Sequence, residues 1–268
     1  MEIIDDRYLS PKSVMINCFM NNPKPDWKIV ILCFRDYIGC EILTNTFNAT
    51  PIKGYKIFYG IDANETERQV FEADIFGQKI GIVTRLSWGG PQAAILVEEL
   101  THLGVQYIIG YGAAGSIDGE IKKGELIVGL RSLNTDGISN IYLPEKKELL
   151  CNIELLQIAR EESIKLQFNI KEVIVANVDA LYRETKDLIR KYQSEGAQII
   201  NLETSALYAC ADICKVKSIW LGFVSDSLVN DKWNNWDTDS KEMSLKVSKL
   251  CIKTVETIAR ELLESNNK

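Results

Sequence analysis

Apolar residues fall in short solid blocks separated by longer stretches in which they recur every three or four positions. The block Lys28-Ile-Val-Ile-Leu-Cys-Phe34 is too short for a helix and rich in β-branched residues, so it predicts a buried strand. Positions 55–59, 69–76 and 79–84 predict further strands, with Gly77-Gln78 as a hairpin turn between the last two. Residues 91–103 predict a helix. Pro91 suits its first turn, Ala94, Val97, Leu100 and Thr101 trace one face, and Gly104 ends it. The continuous apolar run at 105–111 fits a strand covered on both faces of a parallel sheet. Beyond it, strands at 125–133, 172–176, 199–202 and 218–224 alternate with helices at 147–166, 186–195, 203–214 and 241–265. Strand–helix–strand order implies right-handed crossovers. The whole predicts an α/β fold, with a mixed, mostly parallel central sheet flanked by helices. Residues 1–27, with two prolines near their end, read as an N-terminal arm. Residues 28–268 read as one domain.

Composition narrows the function classes. Of 268 residues, 46% are hydrophobic and 25% charged, enough for one large core. The net charge of −6 gives no general attraction to nucleic acid or to anionic membranes. No apolar run approaches the roughly 20 residues needed to span a bilayer, and the start has no signal-peptide core. A cytoplasmic protein is therefore expected, with the tripeptides at 48–50 and 64–66 as chance glycosylation sequons. Seven cysteines with irregular spacing and a single histidine, His102, point to buried free thiols and a structural imidazole rather than a metal site.

In sheets of this kind ligands bind at the carboxyl ends of strands. Three such ends carry chemistry. After 105–111 comes Gly112-Ala-Ala-Gly-Ser-Ile117, whose small residues either form a turn or let a ligand approach the backbone. After 199–202 comes Glu203, which either stabilises a helix N-terminus or points into a cleft. After 218–224 comes Ser225-Asp226-Ser227, where the aspartate is a helix cap or a proton donor. Two acids at matching ends of strands expected to be neighbours exceed what capping requires. A fourth segment, Asp179-Ala-Leu-Tyr-Arg-Glu-Thr185, offers an aromatic wall and a charge, or a plain strand-to-helix turn.

The ordered set Ser87-Trp-Gly-Gly-Pro-Gln-Ala-Ala-Ile-Leu-Val-Glu-Glu-Leu100, Gly112-Ala-Ala-Gly-Ser-Ile117, Ile121-Lys-Lys-Gly-Glu-Leu-Ile-Val128, Asp136-Gly-Ile-Ser139 with Tyr142-Leu-Pro144, Asp179-Ala-Leu-Tyr182, Asn201-Leu-Glu-Thr-Ser-Ala206 and Val224-Ser-Asp226 resembles the nucleoside phosphorylase/nucleosidase superfamily. That family includes purine nucleoside phosphorylases, uridine phosphorylases and methylthioadenosine nucleosidases. The resemblance runs from about residue 28 to the C-terminus. It implies a mixed sheet with a distorted barrel, assembled as a homo-oligomer such as a dimer or hexamer. It implies a small-molecule nucleoside as the partner. Glu203 would bond the ribose hydroxyls, and Leu202 would pack on the sugar. Asp226 would protonate N7 of a purine. Leu181 and Tyr182 would stack on the base, while Gly112, Ala113 and Ser225 would line the pocket. Such chemistry needs no metal or organic cofactor, because the base leaves once protonated and the sugar passes through an oxocarbenium-like state.

The chain departs from the family where phosphate binds. Family arginine and hydroxyl positions read Gly110 and Ala113, and the early loop reads Cys33-Phe-Arg-Asp-Tyr37. Each lost charge-assisted contact is worth about 1.5–3 kcal/mol. Arg35, Arg85 and Arg183 are candidates to replace them, and Asp36 is a candidate base for water. Phosphorolysis of a purine nucleoside, with inorganic phosphate as co-substrate, is the first expectation. Hydrolysis is the second, and nucleoside binding without turnover the third. Trp233 and Trp236 follow Asp226 and are either a lid over the base or surface anchors.

Overall fold

The computed structural model describes residues 7–34, 37–87, 89–234 and 240–266. In chain order its elements are α1 (Pro11–Val14), β1 (Ile29–Phe34), α2 (Tyr37–Thr46), β2 (Thr50–Pro51), α3 (Ala63–Gln69), β3 (Val70–Ile75), β4 (Gln78–Val83), α4 (Gly90–Leu103), β5 (Tyr107–Ser116), β6 (Leu126–Leu133), α5 (Gly137–Tyr142), β7 (Glu148–Leu150), α6 (Ile153–Lys165), β8 (Ile170–Asn177), α7 (Lys186–Ser194), β9 (Ile199–Asn201), α8 (Thr204–Cys214), β10 (Lys217–Ser227) and α9 (Ser240–Asn266). Short 3₁₀ turns lie at Leu181–Arg183 and Val229–Asp231.

Local chemistry explains many boundaries. Every residue of β1 is buried, as its unbroken apolar run requires. Helix α4 opens on Pro91 and stops where Gly104 takes φ 95°, a conformation that costs a residue without Cβ nothing. The β3–β4 turn is Phe76-Gly77, with φ 55° and 80°, one residue earlier than the sequence suggests. Asp74 Oδ1 accepts the Gly77 amide at 2.8 Å and fixes that turn.

Two expected elements differ. Residues 55–59 are not a strand: Ile57 and Phe58 are wholly buried as loop side chains, without strand pairing. The expected helix at 147–166 splits. Glu148–Leu150 pairs with β6, and Asn152 then caps α6 by accepting the Leu155 amide at 3.1 Å. Helices α2, α3 and α5 were not anticipated.

One sheet contains all the strands, in the order β10-β6-β8-β9-β5-β1-β4-β3-β2, with β7 on β6. It closes on itself because β10 also pairs with β5. The central strands β4, β1, β5 and β10 run parallel, as do β6, β8 and β9, and antiparallel pairings join the two groups. Strand β5 makes the closure. One edge pairs with β10 along its whole length, while the other pairs with β1 over Tyr107–Gly112 and with β9 at Gly115 and Ser116. The segment at 112–116, read from sequence as a turn or a ligand-approach loop, is therefore strand. Helices α8 and α9 pack on the sheet, α4 packs on α8, and Met15, Cys18 and Trp27 of the arm share the same core. Among the described residues, no helix is long and apolar enough to cross a membrane.

Candidate active site

A cavity of about 520 Å³ opens where β5, β9 and β10 end and the turn after β8 begins. Its floor is Ala113, Ala114 and Gly115 from β5. Its walls are Phe34, Ile200, Leu202 and Leu228, the Leu181-Tyr182 turn, and Trp233. Three acids face it, Glu184, Glu203 and Asp226, and among the described residues no lysine, arginine or histidine lines it.

Glu203 joins β9 to α8 and is 2% exposed. It does not cap the helix with its side chain. Asn201 does that work, its Oδ1 accepting the Thr204 amide at 3.3 Å and its Nδ2 donating to Thr204 Oγ1 at 2.6 Å. The glutamate is left to the cavity. Its Oε2 accepts the Leu202 amide at 3.1 Å and its Oε1 accepts Trp220 Nε1 at 3.3 Å. Burial pushes its carboxyl up to about 8, and these two donors offset only part of that rise.

Trp220 owes its position to glycines. It pairs with Gly110 and lies two residues before Gly222, which pairs with Gly112. A Cβ at Gly110 or Gly222 would run into the indole, and one at Gly112 would lie 3.1 Å from both Glu203 Oε1 and Trp220 Cζ2. The small residues of β5 and β10 thus make a bed for the ring that holds the carboxylate. Gly112 sits beneath Glu203 rather than on the cavity surface.

Asp226 is placed by a bulge. Val224 pairs with Ala114 and Asp226 with Gly115, leaving Ser225 as the extra residue. Ser225 Oγ donates to Asp226 Oδ1 at 2.7 Å, and Trp233 Nε1 donates to Oδ2 at 2.9 Å. Backbone bonds between Ser227 and Asn234 fold the segment back so that Trp233 reaches the acid. The sequence suggested that strands β9 and β10 are neighbours, and they are not. Strand β5 lies between them and pairs with both, and Glu203 and Asp226 still meet in one cavity.

The other candidates divide. Leu181, Tyr182, Leu202, Ala113 and Ser225 line the cavity. Arg183 is exposed and does not line it. Arg85, at φ 54°, lines a separate cavity with Arg68, stacked on Tyr37 at 4.6 Å. Arg35, Asp36 and Trp236 lie outside the described residues. Asp136 caps α5, accepting the Ser139 amide at 2.7 Å, which makes the 136–139 stretch structural. His102 sits in the last turn of α4, away from the cavity. Glu184 was missed. It follows the base-wall turn after a strand end, the same signal that singled out the other two acids. Among the described residues, no group of three His, Cys, Asp or Glu side chains is arranged to hold a metal ion.

The sequence pattern of the family described as the Phosphorylase superfamily matches residues 58–264. The chain belongs to that superfamily. A purine nucleoside phosphorylase of the DeoD type from Mycoplasma genitalium is 30% identical over 145 residues, 53% of this chain and 61% of that protein. The chain spans less than two thirds of the length of the curated relatives that are at least 30% identical to it. Two solved structures share the superfamily fold at 16% identity. The purine nucleoside phosphorylase of Toxoplasma gondii, in complex with immucillin-H, has a TM-score of 0.72 over 88% of this chain and 92% of that one. A futalosine hydrolase mutant of Helicobacter pylori has a TM-score of 0.68 over 86% and 99%.

Proposed function

We propose that this phosphorylase-superfamily chain cleaves the N-glycosidic bond of a purine nucleoside. The observation that carries the reading is the meeting of Glu203 and Asp226 on one apolar-walled cavity. Glu203 and Leu202 take the pentose end. Positive charge growing on the sugar pulls the Glu203 carboxyl toward its ionised form, which stabilises that charge where little water screens it. Leu181, Tyr182 and Trp233 enclose the base, and Asp226 contacts its N7 side. As the C1′–N bond breaks, its electron pair moves onto the ring and a proton from the acidic end neutralises it. The chemistry calls on no metal or organic cofactor.

Water is the acceptor that this cavity suits. Three carboxyls face it and no cation lines it among the described residues, so a buried phosphate dianion would meet repulsion without compensation. Phosphorolysis is the second reading, favoured by the likeness to the Mycoplasma genitalium phosphorylase. It assigns the phosphate to Arg35, the residue after cavity-lining Phe34.

A panel of purine and pyrimidine nucleosides, each with and without inorganic phosphate, tests both. Free ribose and equal base release in the two conditions support hydrolysis. Ribose 1-phosphate formed only with phosphate moves the acceptor to phosphate. No base released from any nucleoside overturns the glycosidic reading.

A further inference from the structure

Two of the three cavity acids are bonded and the third is not. Asp226 takes hydrogen bonds from Ser225 Oγ and Trp233 Nε1. Glu203 is occupied at the sugar end by Leu202 and Trp220. Glu184 closes the 3₁₀ turn that carries Leu181 and Tyr182, is half-buried, and lines the same cavity. Its carboxyl has Asp226 as an electrostatic neighbour but no hydrogen-bonding or cationic partner among the described residues.

Resting on the glycosidic reading above, we propose that Glu184 carries the proton delivered to the departing base, with Asp226, held by Ser225 and Trp233 in the same cavity, as the partner that orients the ring. Burial and the negative charge of Asp226 together push the Glu184 carboxyl up to about 7. The titratable groups that share the cavity with Glu184 are Asp226 from β10, Glu203 from the β9–α8 junction and Tyr182 from its own turn. Arg183 and Lys186 flank it in sequence, but both are exposed and neither lines the cavity.

The step balances without another reactant. The Glu184 O–H bond breaks and an N–H bond forms on the base, while the C1′–N pair passes to the ring. Water adds at C1′ and the proton it releases restores Glu184. The division of labour also fits the geometry of the wall. Leu181 and Tyr182 face the base from the same turn that ends in Glu184, so one short segment would both stack the ring and protonate it.

Glu184→Gln separates this role from a structural one. Two substrates are compared, inosine and 7-methylguanosine. The second already carries a positive ring and leaves as a neutral base without a proton on N7. On inosine the variant is expected to lose about 100-fold or more in kcat, together with the fall in rate expected of the wild type as pH rises through about 7. On 7-methylguanosine its kcat should stay within about threefold of wild type, since no acid is called on. Glu184→Asp should recover part of the inosine rate and restore a pH limb. Retention of kcat and of the pH profile on inosine would overturn the proposal, as would an equal loss on both substrates. A wild-type protein that releases base from neither nucleoside overturns the glycosidic reading itself, and this proposal with it.

Discussion

The indole Nε1 of Trp233 stands 2.9 Å from Oδ2 of Asp226, so a side chain that is 61% exposed holds an acid at the cavity wall. Trp233 thereby belongs to the site and to its entrance together.

Replacing it tests that dual role. Trp233→Phe keeps most of the wall and removes the donor. A hydrogen bond to a charged group is worth about 1.5–3 kcal/mol, so kcat/KM should fall about 10- to 100-fold. A rise in KM is expected to account for part of the loss, because the ring also encloses the base. Steady-state kinetics on the best nucleoside of the panel provide the check, and an unchanged kcat/KM would assign Trp233 to the surface alone.

Asp226→Asn keeps shape and hydrogen bonding but removes charge. Turnover should drop by about 100-fold or more, because the charge that keeps the proton on Glu184 and orients the ring is gone, while nucleoside affinity, measured by calorimetry, changes by less than about fivefold. Equal losses in both would show that the carboxylate only binds substrate.

Glu203 links activity to stability. The unfolded chain releases this proton near the ordinary value of 4.5, and the folded chain keeps it to about 8. The folded state therefore binds more protons across that interval, and stability falls as pH rises through it. Glu203→Gln removes the slope. Relative to the variant, the wild type should lose on the order of 1–3 kcal/mol between pH 5 and pH 8 in urea titrations. Turnover should be lost at both pH values. A wild type that gains on the variant as pH rises would contradict the buried, proton-holding state.

The glycines beneath Trp220 separate site from scaffold. In Gly222→Ala the new methyl would lie on the Trp220 ring and 2.5 Å from the Gly112 carbonyl, so a loss of about 1–3 kcal/mol of stability is expected. Gly112→Ala meets Glu203 Oε1 and the edge of Trp220 at 3.1 Å. It should cost less than about 1 kcal/mol in stability, yet lower kcat/KM at least about tenfold by tilting the carboxylate. Thermal melts and kinetics on the two variants make the comparison.

Much of this was legible in the residues. Solid apolar blocks gave β1 and β6 within one residue, and β10 within one residue at its start and three at its end, since strands buried on both faces need little else. Strand-end reasoning singled out Glu203 and Asp226, because a carboxylate following a buried strand has few other places to be. Closure of the sheet was not legible. It depends on β5 running on through Gly112 and Gly115, residues that punctuate turns in most sequences but here make room for Trp220 and Leu228. The split of 147–166 hid behind a helical periodicity that Asn152 interrupts. Glu184 escaped because its segment reads equally well as a capped turn, and only the folded chain shows that its side chain turns inward beside Asp226.

Ser225 is the residue on which the acidic end turns. The ladder runs on through this extra residue, so Asp226 stays opposite Gly115, on the side that a Gly115 side chain would take. A protein shortened by that single position would keep the pairing, the core and the sugar clamp, yet lose the hydroxyl that tethers the acid and the local kink that aims it.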